Sequence, residues 1–316
     1  LYELDSLTAE PKVLLDPNKL SEDGTVALSG LAFSKDGKYL AYSIARSGSD
    51  WNEIYVMDVA SRNLLADKIE WVKFSGIAWQ GNGFYYSAYS KPEAGKEFSN
   101  KNEYHKVFYH SIGQAQSQDP VIFENKEFPL RNVGAGVSED EKFLFITETE
   151  STSGNSLWMK DLTKPGSKPV LIAPGFESDF NVVEHYNGKV YVLTNYKAPN
   201  QQLMVFDPAK PELANWTTII PESTKVLETA SIIGGQLFIK HLRDASHHLY
   251  AYSAEGTPLH EVELPTIGTV GISGDMDDNE AFYTFTSYTF PPTIYRYNVA
   301  ENTSELFRKS EVSFNP

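Results

Sequence analysis

The chain has 316 residues, of which 41% are hydrophobic and 13% aromatic, enough for a sizeable core in one large domain or two ordinary ones, with an aromatic content that favours strands. Its 42 acidic against 27 basic residues give a net charge of −15, which repels phosphate backbones and argues against nucleic acid as a partner. The absence of cysteine excludes a disulfide framework, a thiolate metal site and a cysteine nucleophile. No apolar run approaches the roughly 18 residues needed to span a bilayer. No signal peptide is visible, and a start at Leu1 instead of Met predicts that an upstream segment has been removed.

In chain order, the first predicted elements are two short strands, Leu1–Leu4 and Lys12–Leu15. A recurring unit follows: an extended segment, a tight turn, then an aromatic-rich alternating strand. Its copies are Leu31–Leu40, Ile77–Tyr86, Val137–Ile146, Glu184–Leu193, Ser231–Lys240 and Ser273–Phe282. The turn positions Gly37, Gly83, Glu141, Gly188, Gly235 and Asn279 are spaced by 46, 58, 47, 47 and 44 residues, the span of a four-stranded propeller blade. The long spacing is explained by Lys91–Glu103, a polar insertion that reads as a surface loop.

A third strand is predicted at Glu53–Asp58, Ser156–Asp161, Gln202–Asp207, His248–Tyr252 and Thr293–Tyr297. A fourth follows a short turn, as in Lys168–Ile172 and Trp216–Ile220. Period-two alternation broken by Asp-Pro, Asn-Gly or Glu-Gly is the pattern of hairpins. With no amphipathic helix of useful length, βαβ sheets are excluded. A β-sandwich would share the short strands but not the near-constant repeat.

The expected fold is therefore an all-β propeller of four-stranded antiparallel blades. Residues 1–17 supply the outer two strands of a first blade, and six complete blades follow at 28–70, 71–126, 131–174, 178–222, 226–265 and 268–312. A half blade leaves unpaired backbone groups, so its inner strands are expected upstream in a longer polypeptide.

The residues offer no catalytic centre. The nucleophile pattern G-x-S-x-G is missing; Gly271–Asp275 comes nearest, without its last glycine and without a following helix. None of the seven histidines has metal-ligand spacing, and the adjacent His247 and His248 point to opposite faces of a strand. Glu148 and Glu150, like Asp275, Asp277 and Asp278, read as exposed turn and rim charges. The last group lacks the loop length of a calcium site, and no phosphate-binding glycine loop occurs. Asn215-Trp-Thr and Asn302-Thr-Ser fit the short glycosylation pattern. No cofactor and no metal are expected.

Several stretches, taken as an ordered set, closely resemble the prolyl oligopeptidase (prolyl endopeptidase) family. They are Leu14–Thr25, Leu31–Tyr42, Ser47–Trp51, Val72–Ser75, Ala78-Trp79 and Phe285–Tyr295, and the likeness runs from Leu1 to Pro316, nearest to bacterial members. The resemblance implies the seven-bladed propeller that such enzymes insert into an α/β-hydrolase domain. There it covers a Ser-His-Asp triad and restricts cleavage after proline to short peptides. By resemblance both halves of the hydrolase domain lie outside this chain, which by itself is expected not to be an enzyme, and no residue takes a triad role. The implied partners are that peptidase domain of the same polypeptide and short proline-containing peptides, with neither nucleic acid nor membrane. The implied compartment is the periplasm of a bacterium, with the cytoplasm as the alternative.

The family lines an apolar substrate subsite partly with propeller side chains, and Phe74 matches one of them. Two further contributors, a Met and a Cys in mammalian members, fall at Asn132 and Thr152, polar and smaller departures that weaken the expectation of an apolar pocket. A nearby family Arg falls at Thr149, so no cation is expected there. Asp50 and Trp51 match an interdomain, gating segment that faces the peptidase domain. From the residues alone, Phe74 and Trp51 also fit ordinary core aromatics and Asp50 a turn cap. A free-standing propeller acting as an interaction scaffold is the alternative function, and a propeller with its own central active site a third.

Overall fold

A computed structural model describes residues 1–96, 99 and 101–310. The last two positions of the expected final blade, 311 and 312, lie outside the described residues, as do Glu97, Phe98 and Asn100 within the predicted surface loop. Strands dominate, and among the described residues helix is confined to single 3-10 turns at Pro17–Lys19, Gln116–Gln118 and Leu213–Asn215. The chain divides into two compact units: Leu1–Thr152 with Ser156–Leu171, and Ser153–Asn155 with Ile172–Pro316.

In the first unit, β1 (Tyr2–Glu3) pairs with β2 (Lys12–Val13) as a separate two-stranded sheet. Next come β3 (Val26–Phe33), β4 (Tyr39–Arg46), β5 (Asn52–Asp58) and β6 (Leu64–Val72), an antiparallel meander. The following strands are β7 (Ala78–Gln80), β8 (Gly83–Ala88), β9 (Lys106–Ser111) and β10 (Val121–Glu124). A single bridge, Val72 to Ala88, joins β6 to β8, so these two meanders share one continuous sheet. The next meander is β11 (Asn132–Val137), β12 (Phe143–Thr149), β13 (Ser156–Asp161) and β14 (Val170–Ala173), of which β14 leaves the first unit after Leu171.

The second unit carries three more. They are β15 (Phe180–Tyr186), β16 (Lys189–Thr194), β17 (Gln202–Phe206) and β18 (Thr217–Ile220); β19 (Val226–Ile233), β20 (Gln236–Arg243), β21 (Ser246–Tyr252) and β22 (Pro258–Glu261); and β23 (Thr269–Gly274), β24 (Glu280–Thr286), β25 (Thr293–Asn298) and β26 (Thr303–Lys309).

The repeat seen in the sequence has a local cause in the turn between the first two strands. After β3, Asp36 accepts from the Ser34 hydroxyl at 2.7 Å and the Lys38 amide at 3.1 Å, while the Tyr39 amide donates to Ser34 Oγ at 2.9 Å. Ser138, Asp140, Lys142 and Phe143 repeat that pattern between β11 and β12. Gly37 takes φ +69° in the first turn and Glu141 takes +59° at the same place in the second. The side-chain bonds thus hold even a glutamate in the left-handed region that glycine enters freely.

Within each unit the core lies between successive strand sets, because the inner strands alternate their side chains between two covered faces, while outer strands such as β26 are mostly exposed. All six residues of β8 are buried. Phe84 and Tyr86 join Ala41, Ile54, Val56, Ile69, Val72 and Trp79 from the preceding strands, whereas Tyr85 points the other way, to Val107, Val133, Leu144 and Ile146. The second unit repeats this layering, with Val270, Tyr283 and Phe285 packed on Ile233, Phe238 and Leu249.

Polar groups also cross between neighbouring strand sets in the first unit. His110 on β9 is fully buried, with Nδ1 2.9 Å from Asp119 and Nε2 3.0 Å from Asp67 of β6. The Gln116 side-chain amide bonds both the amide and the carbonyl of Glu70, so the outer edge of β6 is covered rather than open.

Candidate functional site

The residues singled out in the sequence lie in the first unit, on the turn after β4, the link from β6 to β7, the start of β11, the end of β12 and the loop beyond it. The turn after β4 uses Ser47 and Gly48 in the left-handed region, and the Trp51 amide donates to Ser49 Oγ at 3.1 Å. Ser49 thus makes the side-chain turn contact, while the Asp50 side chain is 77% exposed. Its carboxylate lies 3.3 Å from Lys73 Nζ.

Lys73 organises this cluster. Its ammonium stands 5.3 Å from the Trp51 ring centre and 5.2 Å from that of Phe74, within cation–π range of both. The backbone around it is unusual: Trp71 has φ +62° and Phe74 φ +52°. Each such conformation costs a bulky L-residue about 1–2 kcal/mol. Phe74 is 60% exposed, which removes it from the core. Trp51 is half-buried and meets Trp71 edge-on at 5.7 Å and Tyr89 edge-on at 6.1 Å.

Tyr89 carries the cluster toward β11. Its hydroxyl donates to Asn132 Oδ1 at 2.7 Å and its ring stacks on His105 at 4.4 Å. His105, 2% exposed, sits between the Lys73 carbonyl, 2.9 Å from Nε2, and the Val133 amide, which donates to Nδ1 at 3.1 Å. Because Nδ1 accepts, the proton is on Nε2 and the ring is neutral. Burial drives its pKa down to about 4, against a smaller upward pull from the Lys73 carbonyl.

Thr149 stands opposite Asn132 in the pairing of β11 with β12, and Thr152 is exposed in the loop beyond. Asp50, Trp51, Phe74 and Asn132 are therefore linked through Lys73 and Tyr89, Thr149 adjoins them through strand pairing, and Thr152 lies outside the linked set.

Glu148 corrects the reading of exposed rim charges: it is 2% exposed, whereas Glu150 is 46% exposed. Glu148 is held by Asn125 at 2.5 Å, Ser156 at 3.3 Å and Arg131 at 3.5 Å, donors from the link between β10 and β11 and from β13 that satisfy the buried carboxylate. Arg131 also bonds Glu150 at 2.7 Å through Nε and stacks on Phe128 at 3.6 Å. A cation is thus present one residue from Asn132, bonded to the two glutamates that flank Thr149.

Sequence reasoning did not single out Lys73, Tyr89, His105 or Arg131. Their roles come from contacts across 16 to 43 positions of chain, and the one local sign was a histidine entering a strand between Tyr104 and Tyr109. Chemically the cluster offers a solvent-facing ring, an amide and a carboxylate, groups that bind and orient. Among the described residues no group of three or more His, Asp or Glu side chains is arranged to hold a metal. No helix of the described residues is long and apolar enough to cross a membrane.

Residues 1–310 match the family described as prolyl oligopeptidase, N-terminal β-propeller domain. The prolyl endopeptidase of Elizabethkingia meningoseptica is 38% identical over the whole of this chain, which covers 45% of that protein. The dual function macrocyclase-peptidase of Galerina marginata is 28% identical over 93% of the chain and 43% of its own length. The chain thus spans a little under half the length of these curated relatives. Among solved structures, a prolyl endopeptidase studied for interdomain dynamics in catalysis and specificity superposes with a TM-score of 0.89 at 31% identity, over 97% of this chain and 44% of that one. Prolyl oligopeptidase B from Galerina marginata, bound to a 25mer macrocyclization substrate, gives 0.87 at 27% identity, over 95% and 44%. Four-stranded antiparallel sheets, the family match over residues 1–310 and these superpositions agree: the chain belongs to the prolyl oligopeptidase N-terminal β-propeller family.

Proposed function

We propose that this chain is the substrate-gating propeller of a prolyl oligopeptidase-type serine endopeptidase that cleaves short peptides after proline. It would restrict access of large or folded substrates and line part of the substrate site. The observation that carries this reading is Phe74: an aromatic ring 60% exposed on a left-handed backbone, an arrangement that core packing does not require. Burying such a ring against a peptide is worth roughly 1.5–3 kcal/mol. Asn132, Thr149 and Thr152 would supply the polar remainder of that subsite, and Asp50 with Trp51 the face turned to the peptidase domain. A relative of this family bound to a 25mer substrate supports a peptide as the ligand class.

In this reading β1 and β2 are the outer strands of the first blade, and the six later meanders are blades two to seven. The peptidase domain belongs to the rest of the parent polypeptide, in a bacterial periplasm by resemblance, with peptides and not nucleic acid or membrane as the further partner. Acyl transfer needs an activated hydroxyl and an oxyanion site, so the chain alone is expected to be silent.

The test is hydrolysis of a short chromogenic Gly-Pro peptide by the purified chain, with and without fragments of the complementary peptidase domain. Silence alone and turnover on mixing support the proposal. Turnover by the chain alone, lost on mutating a residue within it, overturns it.

A further inference from the structure

We propose that His105 is a positioning residue for Phe74: its ring bridges the Lys73 carbonyl and the Val133 amide and so holds the link after β6 in the conformation that presents the Phe74 side chain. The role assigned to Phe74 is that of the preceding section, whereas the positioning itself rests on geometry alone.

The link has a reason to move. Trp71 and Phe74 both occupy the left-handed region, and the Trp71 indole nitrogen is buried with no hydrogen-bond partner. An unsatisfied donor and two strained residues within four positions persist only where the surroundings over-determine them. The Lys73 carbonyl lies between those residues, and His105 Nε2 donates to it at 2.9 Å. On the other side of the ring stands Val133, 2% exposed and fixed in β11 by a six-pair register with β12. Tyr89 stacks on the imidazole and bonds Asn132, the neighbour of Val133, so the ring cannot tilt without breaking a second contact.

A neutral imidazole donates from one edge and accepts at the opposite one on a rigid frame. Glutamine places an amide near the Nε2 position and asparagine near Nδ1. His105→Gln therefore keeps a donor for the Lys73 carbonyl, and His105→Asn keeps an acceptor for the Val133 amide. Each variant leaves one buried group unsatisfied, so a merely structural role makes them equivalent.

The test places 4-fluorophenylalanine at position 74 of the 316-residue chain and records its fluorine resonance in the unaltered protein and both variants. One narrow line in the unaltered chain and in His105→Gln is expected, with a line split or broadened about twofold or more in His105→Asn. Equal spectra in all three, or several lines already in the unaltered chain, overturn the proposal. Binding of a short Gly-Pro peptide forms a second arm. His105→Asn should weaken it about tenfold, as Phe74→Ala does, with no further loss when the two are combined. If the peptide fails to bind the unaltered chain, the substrate-site reading falls while the fluorine spectra still decide the role of His105. Should neither variant fold, selective histidine nitrogen-15 labelling of the unaltered chain decides instead. A neutral ring protonated at Nε2 between about pH 7 and about pH 5 upholds the clamp, and a doubly protonated or Nδ1-protonated ring there overturns it.

Discussion

Replacing His110 by leucine should be among the most damaging substitutions in the first unit. The side chain is fully buried between Asp67, 4% exposed, and Asp119, whose carboxylate is 2% exposed. Burial by itself lowers the histidine pKa, but hydrogen bonds to Asp119 and then Asp67, with their charges, outweigh it and raise the value above the ordinary 6.5. With the imidazolium gone, two buried carboxylates keep only the Gly113 amide at 2.6 Å and the Tyr86 hydroxyl at 2.8 Å. Removing one member of such a buried set costs about 3–5 kcal/mol, because the remaining charges stay uncompensated. Chemical denaturation at about pH 7 reads that loss directly. Adding Asp119→Asn to His110→Leu removes one stranded charge and should restore about 1–2 kcal/mol. The pH dependence supplies a second sign. In the unaltered chain the His110 contribution is complete below about pH 6.5 and fades as pH rises through the raised native value. The deficit of His110→Leu relative to the unaltered chain should therefore be largest below about pH 6.5 and narrow as pH rises through that raised value. A loss below about 1 kcal/mol, or a deficit that does not narrow as pH rises, would refute the reasoning.

His105 carries the opposite sign. Its native pKa of about 4 lies below the unfolded 6.5, so its contribution is present above about pH 6.5 and lost as pH falls toward 4, about 3 kcal/mol in all; denaturation series in His105→Gln should show a shallower acid limb. Phe74→Ala should change stability by no more than about 1 kcal/mol, since the ring is already 60% exposed; a larger loss in thermal or chemical unfolding would return Phe74 to the core. Gly83→Ala should cost about 3 kcal/mol or prevent folding, because a Cβ there would lie 2.2 Å from the His110 carbonyl oxygen and 2.7 Å from the Tyr109 ring; expression and melting of the variant check this.

Much of this protein could be read along the chain. The blade repeat was legible because its causes are local: Ser34 and Asp36 close one turn, Ser138 and Asp140 close its copy, and period-two alternation on either side dictates strands with two faces. Local bonding also explains why Glu141 could align with Gly37. The family resemblance was legible for the same reason, being carried by short ordered segments, and it assigned Phe74, Asn132, Thr149 and Thr152 to a substrate subsite and Asp50 with Trp51 to an interdomain segment.

Tertiary structure decided what those side chains meet. Glu148 and Glu150 are equally acidic and two positions apart, yet one is buried by Asn125, Ser156 and Arg131 while the other stays in solvent. The Thr149 position lacks a cation in sequence, and Arg131 brings one from the residue just before the neighbouring strand. His105 reads as an isolated histidine until Lys73, 32 positions away, and Val133, 28 positions away, are bonded to its two nitrogens. The physical reason is one of range. Turns and alternation are fixed by energies between residues a few positions apart, whereas burial, protonation state and backbone strain depend on which distant groups the packing of one sheet on the next brings within hydrogen-bonding distance.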